Sequence, residues 1–201
     1  MAVLRSLAAS CGTMYPPGLK TRLSYILRDD IQSYPRTKEE MGGTDQGDSM
    51  TFGEEFTLKS GKSWKTIDIL VNTGGVSDIL EGEVGGQGFV SRLNFFVLGD
   101  GAAEREFAQC FFENTGCLIF QVGTKSGHTL VLGELDNALF VEVLEGNTGA
   151  QVGDRVGFNY TAFTKTGHPA RILPEEFSYV NLTYDGNTLT FDGNQIDYGP
   201  I

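Results

Sequence analysis

The sequence predicts a mainly β fold, an antiparallel β-sandwich or barrel with one short flanking α-helix at about residues 101–114. Three observations carry this expectation: short apolar runs that alternate with period two, Gly-rich turn signals between them, and a single stretch whose apolar spacing changes to that of a helix. Among the 201 residues are 27 Gly, well above the roughly 7% average, and they follow no collagen-like period. They punctuate turns. Fourteen Phe and seven Tyr against one Trp, in a chain 40% apolar, are enough to build one sizeable hydrophobic core. The expected organisation is an N-terminal arm over 1–18, a sandwich domain over 19–173 with a long loop at 28–49, and a C-terminal β-hairpin extension over 174–201.

After the small-residue arm, which ends in Pro16-Pro17-Gly18, residues Leu19 to Leu27 alternate as a first strand. Leu19, Thr21, Leu23, Tyr25 and Leu27 share one face of it. The polar stretch from Arg28 to Ser49 has no sustained periodicity, so it reads as a mobile loop of the long kind that is commonly functional. Lys38, Glu39, Glu40, Asp45 and Asp48 are its candidate contact residues. From Met50 the pattern is strand after strand, Met50 to Leu58, Trp64 to Asn72, Val76 to Val84 and Phe89 to Leu98, with turns at Lys59–Lys62, Thr73–Gly75 and Gly85-Gly86. These connections read as hairpins.

The helix is placed by Asp100 as its cap, by Glu104 and Glu106 near its positive end, and by Ala103, Phe107, Cys110 and Phe111 as its apolar stripe. Gly116 stops it. Strands resume at Cys117 to Val122, Thr129 to Leu132, Leu139 to Leu144 and Val156 to Thr164. A crossing at Pro169 to Pro174 leads to Phe177–Tyr184 and Thr188–Phe191, with Asp185-Gly186 and Asp192-Gly193 as hairpin turns.

Chemistry is sparse. A net charge of −11, without any cluster of Lys and Arg, excludes tight binding to phosphate backbones. Cys11, Cys110 and Cys117 form neither a disulfide framework nor a zinc spacing, which points to a reducing cytoplasm. The opening Met1–Cys11 has the outline of a lipoprotein cleavage box, but Arg5 interrupts an apolar region already too short for a signal peptide. No run reaches the roughly 18 apolar residues of a membrane span.

Ser60-Gly61-Lys62-Ser63 holds the GKS of a phosphate loop, yet Phe56 stands where its first glycine belongs. His128 and His168 lie in separate Gly-flanked turns and read as solvent-exposed turn residues, with no triad or metal set around them. The pairs Glu54-Glu55 and Glu81/Glu83 read as solvated carboxylates, the latter sharing one strand face as the wall of a lumen. The residues thus predict no enzyme, no metal and no cofactor.

Four stretches together resemble the tail-tube (major tail) proteins of long-tailed bacteriophages, particularly those of Bacteroidetes-type hosts. They are Pro17–Ile31, Leu80–Leu93, Phe107–Val122 with a hairpin closing at Val131–Gly133, and Asn147–Ala162 leading to the Pro169 crossing. Each is a pattern of turns and alternation rather than a chemical signature, and residues 174–201 have no counterpart in it. The resemblance implies a sandwich with a flanking helix, six copies joined into a ring, and rings stacked into a tube that conducts DNA during ejection. It implies a virion protein assembled in the host bacterial cytoplasm, whose partners are copies of itself and other tail proteins at the tube ends. DNA would pass without specific binding, Glu81 and Glu83 would face the lumen, and the Lys38–Ser49 loop would order on ring stacking. The competing expectations are another virion or head–tail connector component, and a carbohydrate-binding or adhesin-like sandwich with Tyr160, Tyr179, Tyr184 and Tyr198 as its aromatic platform.

Overall fold

The computed structural model describes residues 16–149, 151, 153–175, 188–191 and 194–197. Its strands are β1 (Leu19–Leu27), β2 (Ile31–Ser33), β3 (Thr57–Leu58), β4 (Lys65–Asp68), β5 (Gly75–Glu81) and β6 (Gly88–Leu98), followed by helix α1 (Ala102–Glu113). Then come β7 (Leu118–Thr124), β8 (Thr129–Leu132), β9 (Phe140–Asn147), β10 (Gly157–Thr166), β11 (Arg171–Leu173), β12 (Thr188–Phe191) and β13 (Asn194–Asp197). One sheet has five strands in the order β11-β8-β7-β1-β4 and another has four in the order β5-β6-β10-β9. All of their strand pairings are antiparallel. Neither sheet closes on itself, which decides between the two predicted architectures in favour of a sandwich.

The two sheets share one core. Leu23, Ile67, Phe120 and Val122 of the five-stranded sheet meet Leu93, Phe95, Tyr160 and Ala162 of the four-stranded one. Aromatic rings fill the space between them: Phe95 stacks on Tyr160 with centroids 4.8 Å apart and planes 9° apart, and Phe111 of α1 meets Tyr160 edge-on at 5.1 Å. Offset and edge-on pairs of this kind add to the burial energy because the ring edge is positive and the face negative. The Tyr160 hydroxyl is buried with no hydrogen-bond partner among the described residues, and burial pushes its pKa up. Removing that oxygen relieves a desolvation cost. Tyr160→Phe is therefore expected to keep or raise stability by about 1 kcal/mol, read as an unchanged or higher urea midpoint.

The five-stranded sheet is buried on its second face as well, which explains why β7 is buried on both faces from Leu118 to Gly123, Gln121 included. A segment over 34–64 lies across that face and sets Tyr34, Phe52, Phe56 and Trp64 against Ile26, Ile119, Val131 and Leu173. Phe56 and Trp64 meet edge-on at 5.2 Å, and Phe56 and Tyr34 at 5.1 Å. This corrects the strand expected at Met50–Leu58: only Thr57–Leu58 is strand, and the rest is irregular chain whose aromatic residues are anchors. The strand expected at Trp64–Asn72 likewise shrinks to Lys65–Asp68.

Several connections expected to be hairpins are crossings. The Lys59–Lys62 turn joins β3, paired with β2, to β4, paired with β1. Residues 73–75 carry the chain from the five-stranded sheet to the four-stranded one. True hairpins form at β5–β6, β7–β8, β9–β10 and β12–β13. Strands β1, β8 and β12 have the limits that alternation predicts, whereas Phe177–Tyr184 and both Asp-Gly turns lie outside the described residues.

Helix α1 starts one residue later than expected. Gly101, not Asp100, is the N-cap and makes no side-chain cap bond, while the Asp100 backbone carbonyl accepts from Arg105 Nε at 2.9 Å. Its buried face is Phe107, Ala108 and Phe111, with Ala103 and Cys110 exposed. At its far end Gly116, at φ +76°, turns the chain so that its amide reaches the Leu139 carbonyl at 2.8 Å.

Candidate assembly surfaces

The outer face of the four-stranded sheet lacks a layer of the kind that backs the five-stranded sheet, although Val90 on it is buried by its neighbours. Register puts Gly75, Ser77 and Ile79 of β5 beside Asn94, Arg92 and Val90 of β6, and those beside Thr161, Phe163 and Lys165 of β10, with Glu81 beside Gly88. Arg92 sits between two carboxylates, 3.0 Å from Glu81 and 3.1 Å from Glu142 of β9. Hydrogen bonds to both hold its guanidinium firmly charged. Phe140 stacks on Phe163 at 5.9 Å, and Lys165 lies over the Phe163 ring. The predicted lumen residues separate: Glu81 ends β5 on this face, while Glu83 lies in the exposed hairpin loop, where its carbonyl accepts from Gly86 N–H. The two do not share a strand face.

The edges of the sheets differ in how they are protected. On β11 the edge is covered by a bridge from Thr51 to Ile172 and by the Phe52 amide, which donates to Ile172 O at 2.9 Å. On β9 the Val141 amide is taken by Thr115 Oγ1, and β4 carries an exposed Lys65, a residue type that discourages edge pairing. On β5, Gly-Val-Ser-Asp-Ile-Leu-Glu, there is neither Lys nor Pro, and every residue from Ser77 to Glu81 is exposed. Ile79 is 46% exposed, Leu80 52% and Val84, in the hairpin loop, 97%. A groove of about 580 Å³ opens beside the turn of this hairpin, lined by Glu81, Gly88, Val90, Asn137, Lys165 and Gly167.

The segment over 28–49 is not the unstructured loop the sequence predicts. It holds two single-turn 3-10 helices, Arg28–Asp30 and Asp48–Met50, and strand β2. Thr37 and Glu40 close a reciprocal capping box, the Thr37 amide donating to Glu40 Oε2 at 2.7 Å and the Glu40 amide to Thr37 Oγ1 at 3.3 Å. Asp48 Oδ2 accepts from the Asp45 amide at 2.8 Å, and Arg36 pairs with Glu54 at 3.1 Å. Of the predicted contact residues, Glu40 and Asp48 are thus committed to the segment's own fold. Lys38, Glu39 and Asp45 keep exposed side chains. The Thr37-Lys-Glu-Glu40 spacing is the sequence signal for this turn.

A second cluster combines residues that the sequence keeps apart. His168 Nε2 lies 2.8 Å from Glu134 Oε1, and Arg171 reaches the same oxygen at 3.4 Å. His168 is therefore half-buried and paired, against the expectation of a solvated turn residue, whereas His128 is exposed as expected. The hydrogen bond to Glu134 raises the pKa of His168, and the same bond lowers that of Glu134. No local pattern announces a set spread over 38 positions of chain, from Glu134 to Arg171 inclusive.

Lys62, the lysine of the GKS triplet, forms an ion pair with Asp30 at 2.8 Å. Tyr160 is buried in the core and offers no platform to a sugar; Tyr179, Tyr184 and Tyr198 lie outside the described residues. Among the described residues no helix is long and apolar enough to cross a membrane, and no three His, Cys, Asp or Glu side chains converge on a metal position. No family model, curated protein or solved structure matches the chain.

Proposed function

We propose that this chain is a structural subunit of a phage tail tube, which joins copies of itself into rings and stacks the rings into a conduit for DNA. The observation that carries this reading is the open β5 edge, where Ile79 and Leu80 are exposed between Asp78 and Glu81 and neither Lys nor Pro interrupts the strand. In the order β5-β6-β10-β9 the strands alternate in direction, so β9 of one copy, beyond the Val141 amide that Thr115 occupies, laid beside β5 of the next continues the antiparallel pattern. A head-to-tail contact of this sort closes a ring when its rotation divides a full turn.

The resemblance to tail-tube proteins supplies the ring of six, the stacking and the location in the virion. On this reading the outer face of the four-stranded sheet lines the channel. Arg92 is occupied by Glu81 and Glu142 and is not free to hold a phosphate. A surface whose arginine is already neutralised, in a protein of net charge −11, lets a polyanion slide without adsorbing. Other tail proteins would meet the tube ends, and no catalysis is required.

The test pairs imaging with an edge variant. Purified protein at high concentration is expected to show stacked rings by negative stain. The double substitution Ile79→Lys, Leu80→Lys should leave the far-UV circular dichroism unchanged and yield only monomers by sedimentation velocity. A wild-type chain that remains monomeric at high concentration overturns the proposal.

A further inference from the structure

We propose that His168 is a proton-controlled latch that fastens the crossing between the two sheets. The chain leaves β10 in the four-stranded sheet, turns at Gly167–Ala170, and enters β11 in the five-stranded sheet. Within that turn both ring nitrogens of His168 face acceptors: Nδ1 lies 2.8 Å from the Pro169 carbonyl and Nε2 lies 2.8 Å from Glu134 Oε1. A neutral imidazole has one N–H, so it satisfies one of these acceptors and turns a lone pair toward the other. Only the imidazolium donates to both. The folded geometry thus selects the charged ring, and loss of one proton breaks one of the two fastenings.

The surroundings strengthen the dependence. Glu134 comes from the connection after β8, Arg171 from β11, and Tyr34, whose hydroxyl donates to Gly133 O at 2.9 Å, from the covering segment. On the far side Asp78 of β5 accepts from Ser91 Oγ and from the Ala170 amide. Glu134 is the group that favours the imidazolium, Arg171 opposes it, and Tyr34 carries no charge in the range concerned because burial raises its pKa. Releasing His168 leaves Glu134 held by Arg171 alone and frees the turn that leads into β11. There the Phe52 amide reports on the junction through its bond to Ile172 O.

The sign follows from the two shifts. The His168 pKa is raised above 6.5, so its contribution is fully present below that value and is lost as pH rises through the folded pKa. The Glu134 pKa is lowered below 4.5, so its contribution is present above that value and is lost as pH falls through the folded pKa. The latch is therefore tightest between about pH 4.5 and 6.5 and opens on the alkaline side.

The test follows the His168 Cε1 proton by NMR together with hydrogen exchange at Phe52. The His168 midpoint is expected above the ordinary 6.5, each unit of difference corresponding to about a tenfold tighter latch. Glu134→Gln should bring that midpoint down. Protection of the Phe52 amide, corrected for intrinsic exchange, should fall through the His168 midpoint in the wild type and lose that step in Glu134→Gln. A wild-type midpoint that is not raised, or Phe52 protection that ignores the His168 titration, would overturn the latch.

Discussion

Gly157→Ala is expected to cost about 2–6 kcal/mol, an overpacking term of about 1–3 added to a backbone strain of about 1–3. Gly157 opens β10 at φ +151°, and a Cβ there would lie 2.1 Å from the Val97 carbonyl oxygen and 2.9 Å from the Phe96 ring. The carbonyl cannot move aside cheaply, because β10 is a central strand and Gly157 is registered with Leu98 on one side and Asn147 on the other. A shift that clears one ladder strains the other. Gly61→Ala is the control: its φ of +74° is also left-handed, but nothing lies within 4 Å of the added methyl, so the cost is only about 1–2 kcal/mol. Urea unfolding of the two variants measures the difference, and equal costs would show that crowding at Gly157 is relieved elsewhere.

Phe95→Ala is expected to destabilise by about 3–5 kcal/mol, the range for emptying a core aromatic site. Phe95 is fully buried and touches both sheets and the helix: it stacks on Tyr160, meets Phe111 at 6.0 Å and lies 6.1 Å from Phe120. Its neighbours are themselves rigid rings held by other rings, so the cavity collapses poorly. Near-UV circular dichroism should lose intensity together with the fall in the unfolding midpoint. Phe112 on α1, 59% exposed, provides the contrast, since Phe112→Ala should stay within about 0.5 kcal/mol.

These two sites also show what the sequence could convey. Phe95 and its neighbours were legible, because alternation in Phe89–Leu98 and the glycines around it define a strand from local pattern alone. The same holds for β1 and β8. Met50, Phe52, Phe56 and Leu58 stand at even spacings and imitate a strand, yet Phe52 and Phe56 serve as anchors for irregular chain on the back of the five-stranded sheet. Local spacing cannot distinguish these outcomes, since what decides is the presence of a second apolar face on β7.

The helix illustrates a near tie. The stripe Ala103, Phe107, Cys110, Phe111 and the observed face of Phe107, Ala108 and Phe111 share both phenylalanines, and the aromatic cluster of the sandwich selects the rotation. Glu81 was placed on a strand correctly and Glu83 was not, because the turn that ends β5 begins at Gly82, whose φ is +112°. The His168 cluster was beyond reach for a different reason: its members meet only because β8 and β11 pair.

Strand β1 is made first, yet it lies between β4 and β7 in the finished sheet. Leu27 is registered with Leu118, so 118 − 27 = 91 residues separate partners that must meet. At a synthesis speed of about 5–20 residues per second this interval lasts roughly 5–18 s. Throughout it, Leu23 and Ile26 belong to a nascent segment whose main neighbour does not yet exist. Early engagement with β4, 46 positions after Arg22, shortens the wait on one flank only. Newly translated molecules in a crowded cell therefore pass through a sticky interval, and a holding chaperone that shields β1 until β7 emerges would raise the yield of properly folded chains.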